Sequence, residues 1–405
     1  MPVAPSLSAK SLEIRNKSCE GSALAPLTRE DASAVGSSSI RESRVASRTT
    51  DSASVTDATT EESIFAIREM VTNHWRLETI FTGISLGVFD TFPPPPGNMT
   101  PLELATKLDL DESRCHRLLR ALCSANVMTE APAGFFQLNT TGNLLRKENA
   151  NSMQPYLVLH SSTPMRKLWE VLPDALKKKN ANKTTMELAY KVKDLAEYTA
   201  KKDMSYESVV SGGIGALLRS DNMAGLRVYS FAKFATVTDL MSGDGRLLCE
   251  IVARYPNMKG IIHKQSTSPW AKDYGPSIWP KKMNLESRVT EVPADRFTGA
   301  SIVPSDCYII RRVKVYSEAR MVECFKAIHK VSPAHAKLVV ISRLLPISCE
   351  QDPHGLALHD VHMMLSSNSR DRSYTETKDL FNTCGWKLNF ADEWLGVTTL
   401  EFIKA

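Results

Sequence analysis

From Phe234 to the C-terminus the chain alternates short apolar runs with amphipathic segments, and this alternation restricts the fold more than any other feature. The runs are "FATVTDL", "KGIIH", "RVTEV", "DCYIIRRV", "KLVVIS", "WKLNFA" and "TTLEFIK". Between the earlier ones lie "GRLLCEIVARY" and "SEARMVECFKAIHKV", both with helical spacing of apolar residues. Strands that are apolar on nearly every position belong to a sheet covered on both faces. The expected architecture is therefore a doubly wound α/β domain. Only "DEWLGV" separates the last two runs. That is too short for a parallel crossover, so an antiparallel hairpin at the sheet edge is expected.

The first strand-to-helix turn, "DLMSGDGRL", contains Gly243 and Gly245. A glycine turn between a strand and a helix lets a nucleotide-type cofactor approach the backbone. The turn is not a simple copy of that pattern. Met241 stands where a tight turn takes another glycine, and Lys264 follows the second strand run. The same two glycines also serve a tight turn without any ligand.

Upstream of this domain the pattern changes. Residues 1–60 mix Ser, Thr and Ala with charge and lack apolar periodicity. Such a segment buries too little surface to offset chain entropy, so it is expected to be disordered. Order is expected over 62–150. Ile64, Ile67, Met70, His74, Leu77 and Ile80 follow helical spacing, and "PPPPG" breaks the chain. Thr100 with Glu103 forms a capping box with Pro101 at the first helical position, and Asp111 is an N-cap for the next helix. "MTEAPAGFFQLN" reads as a hairpin. Three helices followed by a hairpin is a winged-helix order. A DNA reader of that kind adds basic residues in the wing, and this wing has none, so a protein-interaction role is favoured over nucleic-acid binding. Residues 151–230 read as a helical linker, and 231–405 as the α/β domain.

The chain has 405 residues, enough for two or three domains, with 42% hydrophobic and 23% charged residues as in an ordinary globular protein. A net charge of +5 is mild, and the basic stretch "LKKKNANK" reads as a solvated helix end. None of the 8 cysteines forms a Cys-x-x-Cys pair, which suits buried reduced thiols in a cytoplasmic protein rather than disulfides or zinc. No apolar run reaches membrane-spanning length, and the N-terminus has no apolar signal core.

Over Phe65 to Ala405 the sequence resembles the S-adenosylmethionine-dependent O-methyltransferases of small hydroxylated aromatics, the acetylserotonin (hydroxyindole) and caffeate types. "LGVFDTF" through "SRCHRLLRALCSANVM" is similar to their winged-helix dimerisation domain. "DLMSGDGRL", "VPADRF", "SDCYIIRRVKVYSEARMVECFKAI" and "HDVHMMLSSNSRDRSYTETKDLFNTCGWK" follow in the family's order. The resemblance implies a Rossmann-like class I methyltransferase domain, S-adenosylmethionine as cofactor, a homodimer, and a small hydroxylated acceptor.

It also assigns residues. Asp239, Gly243 and Gly245 match the cofactor loop, while Met241, Ser242 and Asp244 depart from it. Lys264 takes the seat of the carboxylate that holds the ribose diol, removing two acceptors and adding a cation. Asp295 matches the adenine-side acid, Arg296 replaces the aromatic beside it, and Arg311 stands for a lysine near the cofactor. Lys314 falls at the catalytic His, Tyr316 at a Trp, and Asp371 at the acid that steers the base. An ordinary lysine with a pKa of about 10.4 is a poor base at neutral pH. Lys314 reads as a surface lysine or a partner of Asp371 rather than as a base, and Asp295 reads also as a solvated loop acid. His160, His354, His359 and His362 are the other candidates for a base; His359 and His362 share a helical face, but nearby residues complete no metal set. Two readings follow: an impaired O-methyltransferase, in which cofactor binding is weak or lost, or a non-catalytic homodimeric relative with an interaction role.

Overall fold

The computed structural model describes residues 54–241, 243–265, 277–311, 318–348 and 352–405. By internal contacts the chain divides into Met1–Ala66 and Ile67–Ala405, and the second unit contains every element discussed below except the start of the first helix.

That helix, Ser54–Ser85, starts ahead of the expected onset of order at Glu62. No Pro or Gly interrupts the sequence from Ser54 to Thr82, so nothing stops the helix from extending back into the polar segment. The rest of the tail expected to be disordered, 1–53, lies outside the described residues. The capping box at Thr100 and Glu103 forms as expected and starts helix Pro101–Leu108, and the Asp111 carboxylate caps helix Glu112–Ser124. The hairpin appears as strands β2 (Met128–Ala131) and β3 (Phe135–Leu138), joined by an unanticipated edge strand β1 (Asn98–Met99) in the order β1-β3-β2. Phe89, Leu104, Leu119 and Phe136 fill the core of this region.

Along "FTGISLGVF", within the region similar to a dimerisation domain, Phe81, Val88 and Phe89 are buried in the chain itself. The exposed apolar side chains lie earlier on the same helix. Ile67, Met70 and Trp75 are 63%, 69% and 61% exposed.

The linker region is helical but more broken than its periodicity indicates. Ser162 turns to extended backbone, separating helices Gln154–Ser161 and Thr163–Glu170, the second with Pro164 in its first turn, where the missing N–H costs nothing. Lys191 adopts φ 61° and divides "TTMELAYKVKDLAEYTAKK" into Thr185–Tyr190 and Leu195–Lys201, each with its own cap at Thr184 and Asp194. The long helix Tyr206–Val228 crosses close to Gln154–Ser161. A Cβ on Gly213 would lie 2.7 Å from the Leu159 side chain, so only glycine permits that approach.

The α/β domain is a seven-stranded sheet. Its strands are β4 (Thr236–Asp239), β5 (Lys259–Gln265), β6 (Val289–Ala294), β7 (Cys307–Arg311), β8 (Lys337–Ser342), β9 (Trp386–Trp394) and β10 (Val397–Lys404). Their order is β6-β5-β4-β7-β8-β10-β9. The first five are mutually parallel, and β10 runs antiparallel to both β8 and β9. The terminal hairpin is thus present, closed by Leu395 and Gly396 at φ 49° and 73°, the signature of a primed turn. Separate apolar clusters cover the two faces, one around Leu248, Ile262 and Val339, the other around Tyr308, Phe325 and Phe402. Strand order reverses between β4 and β7, and ligands of open α/β sheets bind beyond the carboxyl ends of strands at such a point. Asp239 is the last residue of β4 and Arg311 the last of β7.

Candidate functional site

Two clusters of side chains lie at the positions singled out in the sequence. The first is the glycine turn. Asp239 is completely buried, and one carboxylate oxygen accepts the Met241 backbone N–H at 3.0 Å. Its other oxygen meets Arg311, whose Nη2 lies 3.3 Å away. The same guanidinium donates to the Met241 carbonyl at 2.6 Å and to Asn222 Oδ1 at 3.2 Å. Arg311 therefore ties the start of the turn to the strand beside it. Burial pushes the Asp239 carboxyl up, against the opposing pull of Arg311.

Gly245 has φ 81°, and a Cβ there would meet Ile262 Cδ1 at 2.6 Å. Its lack of a side chain serves the packing of turn on strand β5. Gly243, at φ 57°, carries the second left-handed bend. Lys264 reaches back from β5 and donates from Nζ to the Gly243 carbonyl at 3.0 Å, with Glu291 Oε2 4.0 Å away. Burial lowers the Lys264 pKa, while Glu291, Asp244 and Asp239 oppose that shift. On the outer side, Trp279 Nε1 donates to Asp244 Oδ2 at 2.8 Å, and the Arg246 guanidinium lies 4.6 Å from the indole centroid. The turn is thus held by Arg311, Lys264 and Trp279. Neither Trp279 nor Asn222 carried a local sequence signal for this role, because both arrive from segments distant in sequence.

Asp295 folds into its own turn, accepting the Phe297 N–H at 2.9 Å, and Arg296 beside it is buried. The charge of Arg296 is felt at Asp239 and His263, so it faces the strand ends. Asp239, Gly243, Lys264 and Arg311 are thus brought together. Ser242, Lys314 and Tyr316 lie outside the described residues.

The residues fit a nucleoside cofactor in part. Gly243, Gly245 and Asp239 keep the turn that lets such a ligand approach the backbone. At the position that the resemblance gives to a ribose-binding carboxylate, Lys264 offers an ammonium that already donates to the turn.

The second cluster lies on helix Leu356–Ser367. His359 Nδ1 and Asp371 Oδ2 are 2.6 Å apart, with Asp371 only 3% exposed. The Asp371 backbone N–H is in turn fixed by Asp360 Oδ1. Leu365, Val361 and Met364 of this helix pack with Leu159, Met165 and Leu168 of the linker helices. That packing brings His362 against His160, with ring centroids 4.8 Å apart, and against Trp169 at 6.2 Å. Tyr156 lies edge-on to His160 at 4.4 Å. Burial lowers the His160 pKa, helped by His359. The resemblance assigned Asp371 the steering of a base; the imidazole that it contacts is that of His359. No group of His, Cys, Asp and Glu among the described residues is arranged to hold a metal ion. His354 is exposed at the opposite end of the segment, against Gly396.

Comparison with known proteins places these features in context. A family model described as the O-methyltransferase domain matches residues 169–387, and a second, the O-methyltransferase dimerisation domain, matches 69–148. The phenazine O-methyltransferase PhzM of Lysobacter antibioticus is 26% identical over 79% of this chain and 90% of its own length. A Dictyostelium discoideum protein named "Probable inactive O-methyltransferase 11" is 23% identical over 69% of this chain and 80% of its own. The crystal structure of human N-acetylserotonin methyltransferase in complex with SAM superposes with a TM-score of 0.69 at 17% identity, over 85% of this chain and 98% of the human one.

Proposed function

The chain belongs to the O-methyltransferase family, and on that premise we propose that it is an impaired O-methyltransferase of a small hydroxylated aromatic acceptor. In this reading S-adenosylmethionine is the cofactor and is held weakly. The observation that carries it is the hydrogen bond of 3.0 Å from Lys264 Nζ to the Gly243 carbonyl. A bound nucleoside has to displace this charged contact, typically worth about 1.5–3 kcal/mol, and gains no carboxylate for its diol. It also brings a sulfonium cation into a site that already holds Lys264, Arg296 and Arg311.

The winged-helix order and the dimerisation-domain match support a homodimer, with the exposed Ile67, Met70 and Trp75 as its apolar face. Nucleic acid is not a partner in this reading: Arg120, on the helix that would read DNA, lies 3.7 Å from Glu130 of the hairpin. No helix among the described residues is long and apolar enough to cross a membrane. The described cysteines are all free thiols, which supports a cytoplasmic location.

A second reading, a non-catalytic relative with an interaction role, is favoured by the Arg311 clamp on Met241 and Asp239, which leaves the turn tied without a ligand. Calorimetric titration of the full chain with S-adenosylmethionine tests the weak hold. Affinity in the low micromolar range would refute it. Transfer of a labelled methyl group to a phenol at saturating cofactor then separates the two readings, because the second requires none.

A further inference from the structure

We propose that the groove between the end of β8 and the β9–β10 hairpin binds an organic ammonium ligand with an apolar body. The groove is lined neither by residues of the glycine turn nor by the His359–Asp371 pair. The proposal therefore stands apart from the methyl-transfer reading.

The sheet register builds the groove. Thr398 lies opposite Ser342 of β8 and opposite Glu393 of β9, and Thr399 lies opposite Asp392. The acids of the hairpin are therefore carried to the end of β8, where the chain continues as Leu344, Leu345, Pro346 and Ile347. The Leu345 N–H donates to the Arg372 carbonyl at 2.8 Å, which brings the start of helix Tyr374–Asn382 to the same place. Asp352 and Leu356, at the start of helix Leu356–Ser367, complete the lining.

The lining states the ligand's chemistry. Leu344, Leu356 and Thr398 are buried, while Ile347 is 98% and Tyr374 38% exposed. Two large side chains thus stand in water above an apolar floor, and a ligand that covers them removes that surface from solvent. The enclosed space is about 460 Å³, within the range of about 300–1,000 Å³ usual for small-molecule sites.

Charge then selects among apolar ligands. The chain as a whole is basic, with 50 Lys and Arg against 45 Asp and Glu. Yet Asp352, Asp392 and Glu393 line this groove, and no Lys or Arg does so among the described residues; His354 is its one basic side chain there. Asp352 accepts the Ala357 and Leu356 N–H groups at 2.7 and 2.8 Å, and these bonds hold its carboxyl below the usual carboxylate range. Asp392 Oδ1 accepts the Glu393 N–H, and Glu393 Oε2 accepts the Thr398 hydroxyl. Both acids are therefore positioned by bonds to one oxygen. Negative charge around an apolar floor is complementary to an amine carried on a hydrocarbon or aromatic body, and it repels the corresponding acid.

The test uses the full chain without cofactor. Three probes share one apolar body and differ in charge: 4-phenylbutylamine, 4-phenylbutanol and 4-phenylbutyrate. Binding is followed by ligand-observed NMR up to millimolar concentration. The amine is expected to bind at least about tenfold more tightly than the alcohol, and the carboxylate to show no binding. Asp392→Asn with Glu393→Gln keeps the accepting oxygens and removes both charges; it is expected to bring the amine to the alcohol's affinity. Ile347→Ser is expected to weaken amine and alcohol alike. Glu323→Gln, an acid on helix Glu318–Val331 outside the groove, should change neither. Thermal melts check the folding of each variant. Failure of the unaltered protein to bind the amine, equal affinity for amine and alcohol, or an unchanged amine affinity in the double variant overturns the proposal. Because no cofactor is present, the outcome of the S-adenosylmethionine titration does not bear on this result.

Discussion

The ammonium of Lys264 donates to the carbonyl of Gly243 across the turn between β4 and the helix that follows, at 3.0 Å. A side chain at the end of β5 thereby closes on the backbone that a cofactor of this family approaches. The contact links a position that departs from the family's chemistry to one of the two glycines whose left-handed bends shape the turn.

Replacing both departures should reopen the turn. The double variant Lys264→Asp with Met241→Gly is expected to bind S-adenosylmethionine at least about tenfold more tightly than the unaltered protein, equivalent to about 1.4 kcal/mol. Calorimetric titration measures it. Equal affinities would mean that Lys264 does not control the site.

Asp239 and Arg311 form a buried pair at 3.3 Å that anchors two neighbouring strand ends. Asp239→Asn leaves the Arg311 charge buried without its counter-ion. A loss of about 3–5 kcal/mol in unfolding free energy is expected, read from urea denaturation. Arg311→Met together with Asp239→Asn should cost less than the sum of the two single changes.

Gly245 combines φ 81° with a Cβ position 2.6 Å from Ile262 Cδ1. Gly245→Ala therefore adds backbone strain and a clash, and should lower stability by roughly 1–3 kcal/mol. Gly134, at φ 76° with open space around its Cβ position, is the control: Gly134→Ala carries the backbone cost alone and should fall at the low end of that range. Thermal melts of the two variants decide between strain and packing.

His263, buried on β5, has its pKa pushed down from 6.5 to about 4, first by burial and then by Arg296. A group whose folded pKa lies below its unfolded one binds more protons when unfolded, so stability rises with pH across that window. Going from pH 7 to 4 should therefore cost about 3 kcal/mol through this residue. His160 shifts in the same direction. Measured against His263→Gln, the unaltered protein should lose stability more steeply between pH 6.5 and 4. Parallel curves would remove the assignment.

Ile67, Met70 and Trp75 form the exposed apolar stripe on the first helix. Light scattering at micromolar concentration is expected to report a dimer. Ile67→Glu with Trp75→Glu should shift it towards monomer with little change in the melt of the sheet domain. A monomeric unaltered protein would remove the dimer.

Much of the fold was readable along the chain because it depends on local patterns. "KLVVIS" is β8 to the residue, and the capping box at Thr100 and the N-cap at Asp111 form where their residue types require. The family's order of segments placed Asp239, Gly243 and Lys264 at one turn. Helix breaks were less legible: Lys191 enters the left-handed region, a conformation that its residue type does not announce.

What the sequence determined by itself is the architecture: apolar periods of two kinds, separated by breakers, allow one way to bury their faces. It also determined which residue types stand at the turn. The tertiary structure alone decided their partners. Lys264 was a cation in the wrong seat until β5 brought it to Gly243, and Asp371 was an acid assigned to a lysine or a missing base until helix Leu356–Ser367 presented His359 to it. Hydrogen bonds of this kind act over about 3 Å, so they depend on how distant segments pack, and a linear pattern does not encode that distance.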